Sequence, residues 1–155
     1  MRPLNIGTEK AFQKIKHYCA YQERSHYEVK EKLYSFGLYK NEVEELLSSL
    51  IEENYLNEER FAIAFAGGKF RMKQWGKVKI NYELKQKGVS PYNIKKALQS
   101  IGEEDYEKAF RKLAGAKLET LRSEKNIFIK KKKVQQYLLQ KGFETGMISG
   151  FLNGV

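Results

Sequence analysis

At 155 residues the chain is long enough to bury an apolar core. Its composition is 41% apolar and 31% charged, and no apolar run approaches the roughly 18 residues of a membrane span, which excludes both a disordered polymer and a membrane-spanning helix. Lys and Arg outnumber Asp and Glu by 29 to 19, so the formal net charge is +10, and the lone Cys19 cannot form an internal disulfide. Met1 to Lys10 lack the apolar stretch of a secretion signal, and with one unpaired cysteine this predicts a cytoplasmic protein.

Ala11, Phe12, Ile15, Tyr18, Cys19 and Gln22 recur at helical spacing and predict a first helix. Ser25 with Glu28 three residues on forms a capping-box signature, and the helix it starts carries Val29 and Leu33 before Gly37. Leu38, Val43 and Leu47 then mark a turn and a third helix. Glu44, Glu45, Glu52, Glu53, Glu58 and Glu59 follow as an acidic stretch; neighbouring glutamates on a helix point apart, so a solvated face is expected rather than a metal site, with the later ones complementing a helix N-terminus. Asn57 is placed to cap a helix through Phe61, Ala62, Phe65 and Ala66.

Next comes a basic segment, Lys69, Arg71, Lys73, Lys77, Lys79, Lys85 and Lys87 against the single acid Glu83, with Phe70 and Trp75 interleaved. Trp75, beside Gly76, is read as a packing anchor ahead of a base-stacking residue. Ile80 and Leu84 precede Gly88 and Val89, and Ser90 before Pro91 reads as an N-cap with proline at the first helical position, leading to Ile94 and Leu98. Tyr106, Ala109, Phe110, Leu113 and Ala116 define a further helix. The run Lys130, Lys131, Lys132 and Lys133 opens another, on which Val134 and Leu138 precede Gly142 and Phe143; Ile148 and Leu152 belong to a final short helix over Thr145–Leu152.

These elements repeat. Gly37, Gly88 and Gly142 stand 51 and 54 residues apart, each with apolar residues at −8, −4, +1, +6 and +10. Positions −8 and −4 share a face of a helix ending at the glycine, and +6 and +10 share a face of the next. Glycine closes the first helix in the left-handed conformation, and the residue after it packs back on the last turn. The prediction is an all-α fold of three tandem three-helix repeats over residues 1–55, 56–104 and 105–155, each too small to bury a core comfortably alone and so packed on its neighbour.

No catalytic constellation is present in the sequence: no phosphate-binding glycine loop, no His-Glu-x-x-His pair and no paired cysteines. His17 and His26 read as surface or partly packed residues and Cys19 as a core residue, so the chain is expected to bind rather than catalyse, without metal or cofactor. Residues 1–55 carry a net −1, residues 56–104 a net +5 and residues 105–155 a net +6. A polyanion suits the last two-thirds, because each Lys or Arg that meets a phosphate releases a condensed counterion. Four successive lysines splay around a helix, which suits a diffuse phosphate field or an acidic partner better than one flat groove.

The sequence resembles the RecX family, regulators of the RecA recombinase. Arg24, Ser25, Glu28, Val29, Lys32, Leu33 and Gly37 are similar to that family's Arg-Ser-x-x-Glu-Leu opening and following glycine. Asn54 to Ala62, including Tyr55, Leu56, Arg60, Phe61 and Ala62, resembles its Gly-Tyr-Leu-Asp-Asp-x-Arg-Phe-Ala signature. Gly76, Lys79, Ile80, Glu83, Leu84, Lys87, Gly88 and Val89 resemble its Gly-x-x-Arg-Ile-x-x-Glu-Leu-x-x-Lys-Gly-Ile motif, and Lys141, Gly142 and Phe143 its Arg-Gly-Phe. Departures at Val29, Asn54, Asn57, Glu58, Lys79 and Lys141 keep a cap, an apolar face or a charge, although lysine lacks the bidentate fork of arginine.

The resemblance implies a curved, elongated array of three-helix repeats that binds the RecA filament on single-stranded DNA. It further implies modulation, in the inhibitory direction, of filament growth, ATP hydrolysis and strand exchange in recombination, repair and the SOS response. Lys69, Arg71, Lys73, Lys77, Lys79 and Lys130 to Lys133 are the candidate contacts with filament or DNA. A monomer with weak, sequence-independent affinity for nucleic acid and none for membranes is expected. The alternative is an autonomous helical nucleic-acid-binding protein; against it, the helix starts at Asn41, Asn93 and Thr145 carry no repeated base-reading pattern.

Overall fold

The computed structural model describes residues 2–155, which form nine α-helices and, among the described residues, no strand. The first unit holds α1 (Thr8–Tyr21), α2 (His26–Ser35) and α3 (Lys40–Glu52). The second holds α4 (Glu58–Gly68), continued by a π-helical turn (Lys69–Lys73), then α5 (Lys77–Gln86) and α6 (Pro91–Gln99). The third holds α7 (Glu103–Glu119), α8 (Ile127–Lys141) and α9 (Thr145–Asn153). The all-helical tandem array expected from the glycine-centred pattern is therefore the observed fold.

The pattern places side chains as its periodicity requires. The residues eight and four before each glycine (Val29 and Leu33, Ile80 and Leu84, Val134 and Leu138) are fully buried, as are Leu38, Val89 and Phe143 just after it and Val43, Ile94 and Ile148 six residues on. The outermost members, Leu47, Leu98 and Leu152, are half-buried. All three glycines have positive φ, 81°, 77° and 95°. At the second and third the paired closing bonds form, Gly88 N to Lys85 O with Val89 N to Leu84 O, and Gly142 N to Leu139 O with Phe143 N to Leu138 O. Helix starts also agree with the sequence: Ser25 and Glu28 complete a capping box, Asn57 accepts from Arg60 N, and Ser90 caps α6 ahead of Pro91. Only α1 stops short of its predicted stripe, at Tyr21, leaving Gln22 outside.

The core departs from the sequence expectation in one respect. The size of the units predicts cores shared with a neighbour, whereas α1 to α3 enclose a separate core around Ile15, Val29, Leu33, Val43 and Leu50, completed by Leu56 just past residue 55. The second and third units do share one core, from Phe61 in α4 to Ile148 in α9. In the acidic stretch, Glu58 and Glu59 lie in the first turn of α4, at a helix N-terminus as expected. Glu58 is half-buried and its carboxylate accepts from Ser90 N and Asn93 Nδ2, tying the start of α4 to the start of α6. Burial alone would raise its pKa, but these hydrogen bonds together hold it below the usual carboxylate value.

Candidate functional site

The central basic segment is built on a distorted helix end. Two glycines, Gly67 and Gly68, weaken the last turn of α4, which widens into the π-helical turn and stops at Gln74 in the left-handed conformation with φ 60°. The chain then crosses the end of α8. Gly76 N donates to Lys141 O at 2.8 Å and Val78 N to Gly142 O at 2.9 Å. A Cβ on Gly76 would lie 2.3 Å from Gly142 O, and one on Gly142 would lie 2.2 Å from Lys79 Cβ, so both glycines are required by backbone meeting backbone. The first unit repeats the arrangement with the chain start. Ile6 N donates to Phe36 O, and a Cβ on Gly37 would lie 2.5 Å from Leu4 O. Gly88, by contrast, faces open space.

Trp75 is half-buried against the shared core, edge-on to Phe65 at 6.4 Å, so it is the packing anchor the sequence suggested. Its ring also gathers charge: Lys69 Nζ stands 5.0 Å and Lys79 Nζ 4.6 Å from its centroid. Lys77 Nζ lies 4.7 Å over Tyr106, whose hydroxyl accepts from Lys77 N at 2.8 Å and donates to the Glu144 carboxylate. Burial, then the bond to Glu144, pushes the Tyr106 phenol far above its ordinary pKa, so the hydroxyl remains a donor locking α5 to α7 and α9.

Arg71 and Lys73 are exposed. Lys141, which the sequence linked only to its glycine motif, arrives from α8 and donates to Lys73 O at 3.2 Å. The ion pairs among the described residues use Lys40, Arg60, Lys108, Arg111 and Arg122; none of the candidate contact lysines or Arg71 is neutralised by one. The central cluster therefore presents uncompensated positive charge on a braced scaffold.

Lys130 to Lys133 are not brought into this cluster. They start α8, about 12–16 Å along the helix from Lys141 at 1.5 Å per residue. Lys130 and Lys131 are half-buried while Lys132 and Lys133 are exposed, as the splay of consecutive lysines predicts.

The residues carrying the family motif are mostly structural. Arg24 donates from Nε to Tyr18 O at 3.0 Å and stacks 3.7 Å over the Tyr18 ring, closing α1. Arg60 donates to the Glu23 carboxylate, to Oδ1 and the carbonyl of Asn54 at 3.1 Å and to Tyr55 O at 3.4 Å, joining the α1–α2 loop to the α3–α4 turn. Leu56, Phe61, Ala62, Leu84 and Phe143 are core residues. Tyr55 is at the surface and Glu83 half-buried, without a side-chain hydrogen bond or ion pair among the described residues. Sequence reasoning could not separate bracing motif residues from contacts, and it missed Tyr106, Glu144 and Asn93 because their partners lie on other helices.

No group of three or more His, Cys, Asp or Glu side chains that could hold a metal occurs among the described residues. Burial raises the Cys19 thiol to about 11, which keeps it protonated inside the first core. Burial also lowers the pKa of His26, whose Nε2 has no partner. No helix among the described residues is long and apolar enough to cross a membrane.

Residues 57–98 match the model of the RecX second three-helix domain and residues 103–152 that of the RecX third three-helix domain. The chain belongs to the RecX family. It is 30% identical to regulatory protein RecX of Prosthecochloris aestuarii over 91% of this chain and 90% of that one. It is 32% identical to regulatory protein RecX of Bacillus licheniformis, of which it spans 54%, and 29% identical to that of Oceanobacillus iheyensis, of which it spans 51%, so it covers about half the length of these relatives. The crystal structure of RecX from Lactobacillus salivarius superposes with a TM-score of 0.84 at 24% identity, covering 95% of both chains, and shares the fold.

Proposed function

We propose that this RecX-family chain is a non-catalytic regulator of RecA. It binds the RecA filament on single-stranded DNA and restrains filament growth, ATP hydrolysis and strand exchange. The observation that carries this reading is the unpaired basic cluster of Lys69, Arg71, Lys73, Lys77, Lys79 and Lys141 held on the Gly76–Gly142 crossing. The heads of Lys69 and Lys79 lie over Trp75 and that of Lys77 over Tyr106, and no ion pair among the described residues neutralises them, which leaves them available to a polyanion or an acidic protein groove. Units 1–55, 56–104 and 105–155 act as successive contact modules of a cytoplasmic monomer. Affinity for free nucleic acid is weak, independent of sequence and lost with added salt, and membranes are not a partner.

Asn93 speaks against an autonomous sequence reader, because its Nδ2 donates to Glu58 and the amide is thereby used to tie α6 to α4. The deciding experiment measures RecA-catalysed ATP hydrolysis on single-stranded DNA with and without this protein. Suppression by amounts of protein below those of RecA supports the reading. An unchanged rate at saturating protein refutes it.

A further inference from the structure

The start of α8 carries a run of exposed apolar side chains. Phe128 is 82% exposed and its neighbours Ile127 and Ile129 are each 43% exposed. Three consecutive exposed apolar residues oppose solubility unless they meet a partner. These are not the loose end of a frayed helix, since Asn126 Oδ1 accepts from Phe128 N at 3.0 Å and from Ile129 N at 3.2 Å and fixes the first turn. Nor do Phe128 and Ile129 belong to the core. The buried residues of α8 are Val134 and Leu138, and at about 100° per residue Phe128 and Ile129 stand roughly 120° and 140° round the helix from Val134.

The nearest acid in the chain is Glu124, whose carboxylate is engaged by Asn126 N at 3.1 Å; beyond it the helix is basic. From Lys125 to Phe143 the chain has six lysines and no acid, and Lys132, one turn on from Phe128 on the same face, is exposed and without an ion pair among the described residues. A ring with no polar handle amid unpaired cations fits a ligand that is anionic and flat-faced at once.

We propose that Phe128 is a stacking platform for an unpaired base of single-stranded nucleic acid, with Lys125, Lys132 and Lys133 meeting the adjoining phosphates. An unpaired base offers the π-face that a duplex keeps hidden in its stack. A bilayer fits less well: Lys130 to Lys133 turn through roughly 300° of helix, so a flat surface meets only part of the run while a flexible strand can wind around it. The site lies at the opposite end of α8 from the central cluster and does not depend on the RecA reading.

The test is binding of a fluorescent oligothymidylate by anisotropy at low salt, without RecA, for the wild type, Phe128→Ala, Phe128→Trp and Lys132→Glu/Lys133→Glu. Phe128→Ala is expected to weaken binding about five- to a hundredfold, the range carried by one base–aromatic stack, and Phe128→Trp to bind at least as well as the wild type. On a strand of equal length made of abasic units, the wild type and Phe128→Ala should bind alike, whereas the charge-reversed variant should lose affinity for both strands. Equal binding of the oligothymidylate by Phe128→Ala and wild type overturns the proposal, as does an equal loss on the abasic strand. Two further results would overturn it by reassigning the patch: wild-type binding to anionic phospholipid vesicles that Phe128→Ala abolishes with DNA binding unchanged, or a wild-type dimer that Phe128→Ala converts to monomer.

Discussion

Replacing Gly76 by alanine isolates the crossing between the second and third units. The backbone there has φ −78° and ψ 167°, comfortable for any residue, so alanine brings no conformational strain of its own. What it brings is a Cβ 2.3 Å from Gly142 O, with backbone on both sides and no flexible side chain to yield. The start of α5 must move away from α8 and give up Gly76 N to Lys141 O and Val78 N to Gly142 O. Two such bonds are worth about 1–3 kcal/mol, and loosened packing around Ile80 adds about 1 kcal/mol more, for a loss of about 2–4 kcal/mol. Gly88 has φ 77°, but a Cβ there meets nothing within 4 Å, so Gly88→Ala should lose only the left-handed penalty of about 1–2 kcal/mol. For a chain of this length Gly76→Ala should lower Tm by about 4–16 °C, against about 2–8 °C for Gly88→Ala. Urea and thermal unfolding followed by circular dichroism would read both. A Gly88→Ala protein as unstable as Gly76→Ala, or more so, would show that the close approach is not what fixes glycine at 76.

Three further expectations follow from the same geometry. Lys73→Glu/Lys77→Glu/Lys79→Glu, once shown to be folded, should weaken inhibition of RecA ATP hydrolysis at least tenfold at matched salt, and Lys131→Glu/Lys132→Glu/Lys133→Glu should weaken it less; the reverse order would misplace the filament surface. Arg60→Lys should destabilise nearly as much as Arg60→Ala, by about 1–2 kcal/mol after solvent screening, because an ammonium cannot serve Glu23, Asn54 and Tyr55 together; full retention of stability in the lysine variant would contradict this. Cys19, with its folded pKa raised from 9.0 to about 11, favours the native state fully below pH 9 and loses that contribution as pH climbs through 11. Wild type should therefore lose stability across that window faster than Cys19→Ala, and its thiol should react slowly with Ellman's reagent at pH 8 until urea is added.

The sequence determined the elements because they depend on local chemistry. Ser25 and Glu28, Asn57, and Ser90 with Pro91 start helices through contacts no more than three residues away, and Gly37, Gly88 and Gly142 end them through a conformation that only the backbone decides. The burial of Val29, Ile80 and Val134 was legible for the same reason, since helical periodicity fixes which face is apolar without saying what covers it. Tertiary structure decided everything that needed a partner from elsewhere in the chain. Gly76 and Gly142 look alike in sequence to any turn glycine, but 66 residues apart they meet backbone to backbone, whereas Gly88 with the same motif meets nothing. The sequence places Glu58 at a helix N-terminus but not against Ser90 and Asn93, which only the packing of α6 brings to it, and it places Lys141 in a motif but not against Lys73, to which α8 delivers it. Exposure of Phe128 was equally hidden, because an apolar residue at the start of a helix signals core in a sequence, and only the position of the neighbouring helices leaves it in water.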